Sequence, residues 1–114
     1  MMTKTIEYKD FLNVDIRIGT IIKAKINTSL KKPSIVLLID FGDDIGLKKS
    51  SAQLTINYHP ESILNKQVAA VINFEPKQIG NLLSEVLVLG FPDGNNEPIL
   101  FSPDKKVKNG GKLF

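Results

Sequence analysis

The hydrophobic pattern of the first half of the chain is that of three successive β-strands. Residues 15–26 alternate isoleucine or alanine with polar residues, the two-residue period of a half-buried strand, and Gly19 interrupts them where a barrel strand often bends. A loop is predicted at residues 30–33. Residues 34–41 carry an apolar run that predicts a strand buried on both faces. Residues 45–54 alternate more weakly, which predicts a polar strand whose outward side is available to a ligand.

The rest of the chain predicts short helices and further strands. A short helix is expected at residues 59–64, because proline is favoured in a first helical turn and a glutamate there suits the helix dipole. Strands follow at residues 68–74 and 84–90, with a further short strand at residues 99–101. Residues 8–13 group their apolar side chains at helical spacing, which predicts a short turn that covers a barrel end or a partner.

The order of these elements is strand, strand, strand, short helix, strand, strand. It matches the OB-fold, an all-β, five-stranded barrel, here with the short helix between strands 3 and 4 and with N- and C-terminal extensions. Closing the barrel removes the sheet edges that make small sheets prone to aggregation. A five-stranded barrel of another topology is the alternative. Because the 114 residues contain no repeat or linker, we expect a single domain over residues 1–114.

Composition places the chain among ordinary globular proteins, with 42% hydrophobic and 24% charged residues. The longest apolar run is too short to cross a bilayer, so we expect no membrane insertion. Residues 1–9 alternate polar and apolar side chains and do not build the hydrophobic segment of a signal peptide. A cytoplasmic location is the resulting expectation.

Catalysis and metal binding find little support in the residue types present. The chain contains no cysteine, which excludes disulfides, thiolate catalysis and cysteine-ligated metal sites. The lone His59 precedes Pro60 and has no second histidine beside it, so it is expected to start the short helix. We therefore expect no enzymatic activity, cofactor or metal. A hydrolase that uses only carboxylates is the alternative, because the chain contains aspartates and glutamates.

Lysines supply almost all of the positive charge. The formal net charge is +3 and the pI about 9.2, with lysines grouped at residues 31–32, 48–49 and 105–106 and at Lys108 and Lys112. A lysine is a hydrated point charge that suits a backbone phosphate better than a base edge. The lysines therefore favour recognition of shape over sequence. Those near the C-terminus either bind RNA or belong to a frayed tail.

A polar segment between two strand patterns is the strongest candidate for ligand contact. Residues 73–90 begin at a strand end with an amide, a proline, a lysine and a glycine, and then return to an apolar run. Such a segment predicts a ligand-contacting loop presented by a rigid barrel.

Several segments of the chain, in order, resemble the tRNA-binding domain family, whose members have an OB-fold. The segments are residues 15–19 (DIRIG), 50–53 (SSAQ) and 73–90. Within that family the chain resembles the stand-alone CsaA proteins, described as export-related chaperones. That resemblance is carried by residues 40–42, 45–46, 50–53, 65–68 and 84–90.

The resemblance implies a cytoplasmic homodimer of OB-folds that holds tRNA or an unfolded or preprotein peptide segment and has no enzymatic activity. The candidate RNA or peptide contacts are Ser51, Gln53, Asn73, Phe74, Lys77, Gln78 and Ser84, with Lys48 and Lys49 as auxiliary phosphate contacts. Family members that bind tRNA typically carry a basic pair after the proline and a methionine in the next strand. Here Lys77 is followed by Gln78, and Leu87 stands in place of the methionine. The missing positive charge predicts weaker RNA binding than in a more basic relative.

Each candidate in the polar loop also has a structural interpretation. Asn73 either contacts the ligand or stabilises a turn, and Lys77 either holds a phosphate or is merely solvated. Phe74 either stacks on a ligand or, as is more common for an aromatic that ends a strand, belongs to the core. Ser84 and Glu85 point to opposite sides of their strand, and the family pattern favours Ser84 on the side of Asn73.

Other polar residues are weighed in the same way. Glu85 is expected to pair with Arg17 or a nearby lysine, and Arg17 is expected to form a structural ion pair. Lys48 and Lys49 are adjacent in a strand, so at most one of them lines a given groove. Ser51 and Gln53 form a polar stripe that suits an extended ligand, although a strand facing water would look similar.

Two binding hypotheses follow. One is a tRNA-binding module in which phosphates supply affinity and RNA shape supplies selectivity. The other is a dimeric chaperone whose apolar groove holds unfolded peptides, with little or no physiological RNA binding. In both cases the turn around Phe11 is a candidate dimer contact.

Overall fold

A computed structural model describes residues 3–29 and 31–114. Met1, Met2 and Leu30, the last of which begins the predicted 30–33 loop, lie outside the described residues. The elements are α1 (Tyr8–Leu12), β1 (Ile16–Asn27), β2 (Ser34–Asp40), β3 (Leu47–Ala52), a single-turn 3₁₀ helix (Pro60–Ser62), β4 (Gln67–Val71), β5 (Lys77–Ile79), β6 (Leu82–Ser84), β7 (Leu87–Val88), β8 (Gly90–Pro92) and β9 (Pro98–Leu100).

Five strands form one curled antiparallel sheet in the order β3-β2-β1-β4-β7, and β5–β6 and β8–β9 form two separate hairpins. The long strand β1 pairs with β4 through its first half and with β2 through its second half. Its register with β2 shifts at Ile22, a bulge that lets the strand change partners. Gly19 lies over the core, where a Cβ would come within 2.6 Å of Ile39 Cγ2 and 2.8 Å of Phe41 Cδ1. A glycine is therefore required where β1 crosses Phe41.

The predicted all-β, OB-like fold is confirmed, but the sheet stays open between β3 and β7. The gap is bridged beside the edge of β3, where Glu85 N–H donates to Lys49 O at 2.8 Å. In return, Lys49 N–H donates to Glu85 Oε1 at 3.0 Å, and Ser51 N–H donates to Ser84 Oγ at 3.1 Å. These three bonds satisfy backbone groups on the edge of β3 that a closed barrel would pair in a ladder.

The core fills the concave side of the sheet. The alternate residues Ile35, Leu37 and Ile39 of β2 are buried there together with Phe41, and every residue of β4 is buried. Ile63, which follows the 3₁₀ helix, is fully buried and covers one end of the barrel. The alternation predicted for the first strands therefore orients them correctly, with the apolar residues of β2 facing inward.

Three predicted elements differ from the structure. The strand expected at residues 84–90 is divided among β6, β7 and β8, because Glu85 turns aside to bond with β3 and Val86 is buried. The predicted loop instead contains the β5–β6 hairpin, whose turn is supplied by Gly80 with φ of 60°. The helix expected at residues 59–64 is shortened to one 3₁₀ turn that begins at Pro60, directly after His59 as predicted.

The C-terminal segment runs along β1 and is not a frayed tail. Gly110 N–H donates to Ile18 O at 2.8 Å, Ile18 N–H to Gly111 O at 3.1 Å, and Leu113 N–H to Ile16 O at 2.9 Å. The buried Gln67 side chain exchanges two hydrogen bonds with the backbone of Val107, at 2.7 and 3.0 Å. None of the helices over residues 3–29 and 31–114 combines the length and the apolar character needed to span a membrane.

Candidate nucleic-acid interface

Three lysines surround an apolar floor on the outer face of β1, β2 and β3. In the ladders, Leu38 lies between Lys23 of β1 and Lys49 of β3, and Val36 lies opposite Lys25. Residues directly opposite each other in antiparallel strands share a face, so all five side chains lie on the side away from the core. Val36 and Leu38 are half-buried, whereas the three lysines are exposed. This surface, the lysine face, forms a shallow groove of about 580 Å³.

The β5–β6 hairpin is a separate two-stranded sheet that packs beside β3. Lys77 pairs in register with Ser84, and the hydroxyl of Ser84 accepts the backbone N–H of Ser51 at 3.1 Å. Lys77 and Gln78 are exposed on this hairpin, and Gln78 Nε2 donates to Gly80 O at 2.9 Å across its turn. The hairpin therefore adds an exposed lysine beside the edge of β3.

Ser84 and Glu85 serve the fold in ways that the sequence does not reveal. Ser84 is 9% exposed and, besides accepting from Ser51, its hydroxyl donates to Val86 O at 3.4 Å. This position attaches the hairpin to β3 and leaves the hydroxyl facing inward. The Glu85 carboxylate accepts the backbone N–H of Lys49, so the expected pairing with Arg17 or with a lysine ammonium is wrong.

Asn73 fastens the N-terminal segment to the end of β4. Its Oδ1 accepts the N–H of Asp15 at 3.0 Å, and its Nδ2 donates to Asn13 O at 2.8 Å. Both ends of the amide are thus engaged within the protein. The neighbouring Phe74 is 55% exposed, which corrects the core interpretation and leaves its ring on the surface.

Ser51 and Gln53 lie beside a second groove, between the end of β3 and the β7–β9 region. This groove has a volume of about 300 Å³, and its wall includes Leu87, Leu89 and Pro98. The hydroxyl of Ser51 donates to Ser34 Oγ at 3.1 Å, whereas Gln53 is exposed. We call this surface the apolar groove.

Lys48 and Lys49 diverge as expected for neighbours in a strand. Lys48 lies opposite the buried Ile39 and is half-buried, whereas Lys49 lies opposite Leu38 on the lysine face. Lys49, but not Lys48, therefore lines the groove of the lysine face together with Lys23.

Arg17 has the structural role that was predicted. Its Nε lies 2.6 Å from Asp15 Oδ1, and its Nη1 donates to Gly110 O at 2.9 Å. This guanidinium therefore joins the start of β1 to the C-terminal segment.

One carboxyl group, away from the lysine face, has a perturbed titration. The pKa of Asp93 is lowered because the side chain of Asn57 and the backbone N–H groups of Glu97 and Asn95 donate hydrogen bonds to its charged form. These bonds organise the β8–β9 turn. Within residues 3–29 and 31–114 there is no group of three or more histidine, cysteine or acidic residues arranged to hold a metal ion.

Lys23 and Lys25 belong to the lysine face but are not among the candidates that the sequence singles out. Their alternation with isoleucine and alanine in β1 was a signal that both point outward. Their position beside Lys49 depends on the β1–β2–β3 register, which includes a bulge and is not readable from periodicity.

The chain matches a known family along most of its length. The family described as "Putative tRNA binding domain" matches residues 16–112. The chaperone CsaA of Bacillus anthracis str. Ames is similar in structure, with a TM-score of 0.91 and 40% identity over 97% of this chain and 100% of that one. The CsaA chaperone of Picrophilus torridus has a TM-score of 0.89 and 45% identity over 96% and 100%.

Parts of larger proteins are also similar. The methionine–tRNA ligase of Pyrococcus horikoshii is 37% identical over 113 residues, and that of Parabacteroides distasonis is 30% identical over 112 residues. The alignments cover 95% and 96% of this chain but 14% and 16% of the ligases, so the chain spans only a small part of their length. The match to the family over residues 16–112, together with the two CsaA structures, shows that the chain belongs to the tRNA-binding domain family.

Proposed function

We propose that this protein binds tRNA, without catalysis, on the lysine face and the adjoining β5–β6 hairpin. The observation that carries the proposal is the convergence of Lys23, Lys25 and Lys49 on one outer face of the sheet. None of these three lysines takes part in the ion pairs formed within residues 3–29 and 31–114. Their charges are therefore available to backbone phosphates.

The position of the lysine face supports this assignment. OB-folds bind oligonucleotides on the face of strands 2 and 3 and on the loops that flank it. Here the corresponding flanks are the loop that contains Lys31 and Lys32 and the hairpin that carries Lys77. Exposed Phe74 lies between β4 and that hairpin, where its ring is available to a base.

The chemistry of the face favours shape over sequence. Lysine ammonium groups hold phosphates as point charges and do not form the forked contacts by which arginine reads base edges. The half-buried floor of Val36 and Leu38 offers no hydrogen-bond donors of its own through its side chains. Selectivity for tRNA would then come from the spacing of its phosphates in a folded RNA.

Gel shifts at low salt test the proposal. We expect tRNA to bind more tightly than an RNA duplex of equal length, and the K23A/K25A variant to bind tRNA about tenfold more weakly. The matched control is K4A/K9A, which removes the same charge from exposed positions near the N-terminus. Equal binding of tRNA and duplex, or equal losses in the two variants, would contradict the proposal.

A second candidate function is the holding of unfolded peptides in the apolar groove. Two observations favour it: the exposed Leu87 on the groove wall, and the similarity to two CsaA proteins that are described as chaperones. An extended peptide could place apolar side chains against Leu87 and hydrogen-bond with Gln53 at the rim. An export role would further require that the bound peptide belong to a preprotein. We propose that the protein acts in the cytoplasm, where it would meet both tRNA and preproteins.

Aggregation of a denatured client tests this second function. We expect the protein to slow aggregation and L87K to lose the effect, whereas the control I6K, which also charges an exposed apolar residue, retains it. L87K should leave tRNA binding unchanged, because Leu87 is not on the lysine face. An aggregation rate that the protein does not alter would remove the peptide-holding function and leave the RNA proposal intact.

We further propose that two copies associate through an apolar patch formed by both ends of the chain. Lys112 Nζ donates to Leu12 O at 3.4 Å, so the C-terminal segment lies against α1. Tyr8, Leu12 and Leu113 are exposed around this contact, and Phe11 lies 6.2 Å from Tyr8 between ring centroids. Covering this patch with a second copy would remove exposed apolar surface from water.

Sedimentation at micromolar concentration tests the association. Wild type should sediment as a dimer, and the L12K/L113K variant as a monomer. A monomeric wild type would contradict the proposal.

A further inference from the structure

A second cationic cavity lies at the start of β4, next to the Leu64 end of the lysine-face groove. It occupies about 420 Å³ between the turn that precedes β4 and the segment that follows β9. Three exposed lysines line it, namely Lys66, Lys105 and Lys106, and Asp104 is the one acidic residue in the lining. The lining therefore carries a net charge of +2, from three lysines and one aspartate.

The backbone of this cavity is held in place by partly buried hydrogen bonds. Gln67 binds the backbone of Val107, and its Nε2 also donates to Asn109 Oδ1 at 3.0 Å. Thr20 Oγ1 donates to the same Asn109 oxygen at 2.8 Å. The segment that carries Lys105 and Lys106 is thus anchored on its C-terminal side, which lowers the entropy lost when a ligand is bound.

None of the three lysines is neutralised by the protein. The ion pairs found within the described ranges, 3–29 and 31–114, do not include Lys66, Lys105 or Lys106. Like charges around one cavity repel each other, and an anion placed among them relieves that repulsion. The cavity has about the volume that a dozen water molecules occupy in the liquid, which is enough for a hydrated phosphate group.

One neutral group of the cavity also lacks a partner. The hydroxyl of Ser102, a residue of the lining, is buried and makes no hydrogen bond to any part of the protein that the structure describes. Buried hydroxyls are nearly always paired in native proteins. Rotation about its single side-chain torsion would let this hydroxyl donate to an anion in the cavity.

We infer that this cavity binds a backbone phosphate of RNA, as a second anchor for the RNA held on the lysine face. The inference rests on the proposed function, and it names a contact that the lysine face does not include. Leu64 lines the groove of the lysine face, and the next residues, Asn65 and Lys66, line the cavity, so the two sites are neighbours. One RNA backbone can therefore reach both anchors.

The salt dependence of tRNA binding tests the second anchor. The K105A/K106A variant removes the contact with one phosphate, so its slope of log K against log salt should be about 0.7–0.9 smaller in magnitude than that of wild type. Between 50 and 200 mM salt, wild type should therefore lose about threefold more affinity than this variant. K4A/K9A is the matched control and should keep the slope of wild type.

A titration with inorganic phosphate, monitored through backbone amide NMR shifts, shows whether the cavity binds a free phosphate ion. Together with the salt dependence, it distinguishes a free anion from a phosphate of the RNA backbone. We expect shifts at residues 65–67, 102 and 104–106 in wild type and their loss in K105A/K106A. Ser102→Ala should weaken phosphate binding about tenfold without changing the salt slope, because it removes a hydrogen bond and no charge. An unchanged phosphate affinity in that variant would overturn the role of the hydroxyl.

The remaining outcomes are distinguishable. If K23A/K25A weakens tRNA binding while K105A/K106A keeps the slope of wild type, the second anchor is overturned and the lysine face stands. If inorganic phosphate shifts the cavity but the tRNA slope is unchanged in K105A/K106A, the cavity serves a free anion and the RNA assignment is wrong. If tRNA does not bind at all, the proposed function and the RNA assignment both fail.

Discussion

Replacing Asn73 with alanine should destabilise the protein and leave tRNA binding nearly unchanged. Asn73 belongs to the polar loop that looked most like a ligand site, yet its amide makes two hydrogen bonds inside the protein, to Asp15 N–H at 3.0 Å and to Asn13 O at 2.8 Å. The substitution removes both bonds and frees the segment that joins α1 to β1. The variant therefore separates a structural role of Asn73 from contact with a ligand.

The magnitude follows from the two bonds and their exposure. A typical intramolecular hydrogen bond contributes about 0.5–1.5 kcal/mol net, and the groups freed here are near the surface, where water can replace the amide. We therefore expect a loss of about 1–2 kcal/mol in the free energy of unfolding. For a chain of 114 residues this corresponds to a fall in Tm of about 3–8 °C.

Urea unfolding and tRNA gel shifts, made on the same preparation, check this prediction. Lys77→Ala is the matched comparison from the same loop, because Lys77 is exposed and makes no ion pair within the described ranges. It should keep the stability of wild type and weaken tRNA binding. If Asn73→Ala instead keeps wild-type stability and weakens tRNA binding tenfold, the structural interpretation of Asn73 is wrong.

Three further substitutions probe the fold around the interface. Gly19→Ala should destabilise by about 1–3 kcal/mol in urea unfolding, because the added Cβ would approach Ile39 and Phe41 to less than 3 Å; an unchanged midpoint would show that β1 can shift. Glu85→Ala should lower the free energy of unfolding in urea by about 1 kcal/mol, because it leaves the backbone N–H of Lys49 unpaired. Hydrogen exchange at that amide should become faster. Hydrogen bonds, first of all from the Asn57 side chain, hold the pKa of Asp93 in the folded protein below its ordinary value of 3.8, so its contribution to stability is complete above that value and is lost as pH falls through the folded pKa. The Tm of D93N should therefore be lower than that of wild type at pH 7, and the two Tm values should converge in acid. An equal difference in Tm at neutral and at acidic pH would contradict the reasoning.

The strands with a strong two-residue period could be predicted from the sequence. The first two strands were placed to within two residues, since isoleucines in β1 and the apolar run of β2 leave little choice of burial. The helix at Pro60 was placed from its proline but was too long. Local chemistry therefore locates most elements of this fold.

The region after β4 could not be predicted as well. Gly80-Asn81 between apolar residues is a recognised hairpin signal, and it was overlooked in favour of a loop. The break after Ser84 has no comparable local signal, because it depends on hydrogen bonds to β3, more than thirty residues earlier. Long-range pairing of this kind decides the shape of the polar segment.

The candidate site shows the same division between local and long-range information. The sequence indicates that Lys23 and Lys25 point outward, and that Lys49 does not share a face with Lys48. Only the register shows that Leu38 lies between Lys23 and Lys49. Likewise, the engagement of Asn73 with Asp15 could not be inferred from the residue types, because an asparagine at a strand end serves a ligand and a turn equally well.

The most direct test of tRNA binding by the lysine face is the salt dependence of that binding in wild type and in K23A/K25A/K49A. Each phosphate contact contributes about 0.7–0.9 to the slope of log K against log salt, so the triple variant should lose about 2 to 3 from its magnitude. A slope equal to that of wild type would show that tRNA is held elsewhere and would contradict the account.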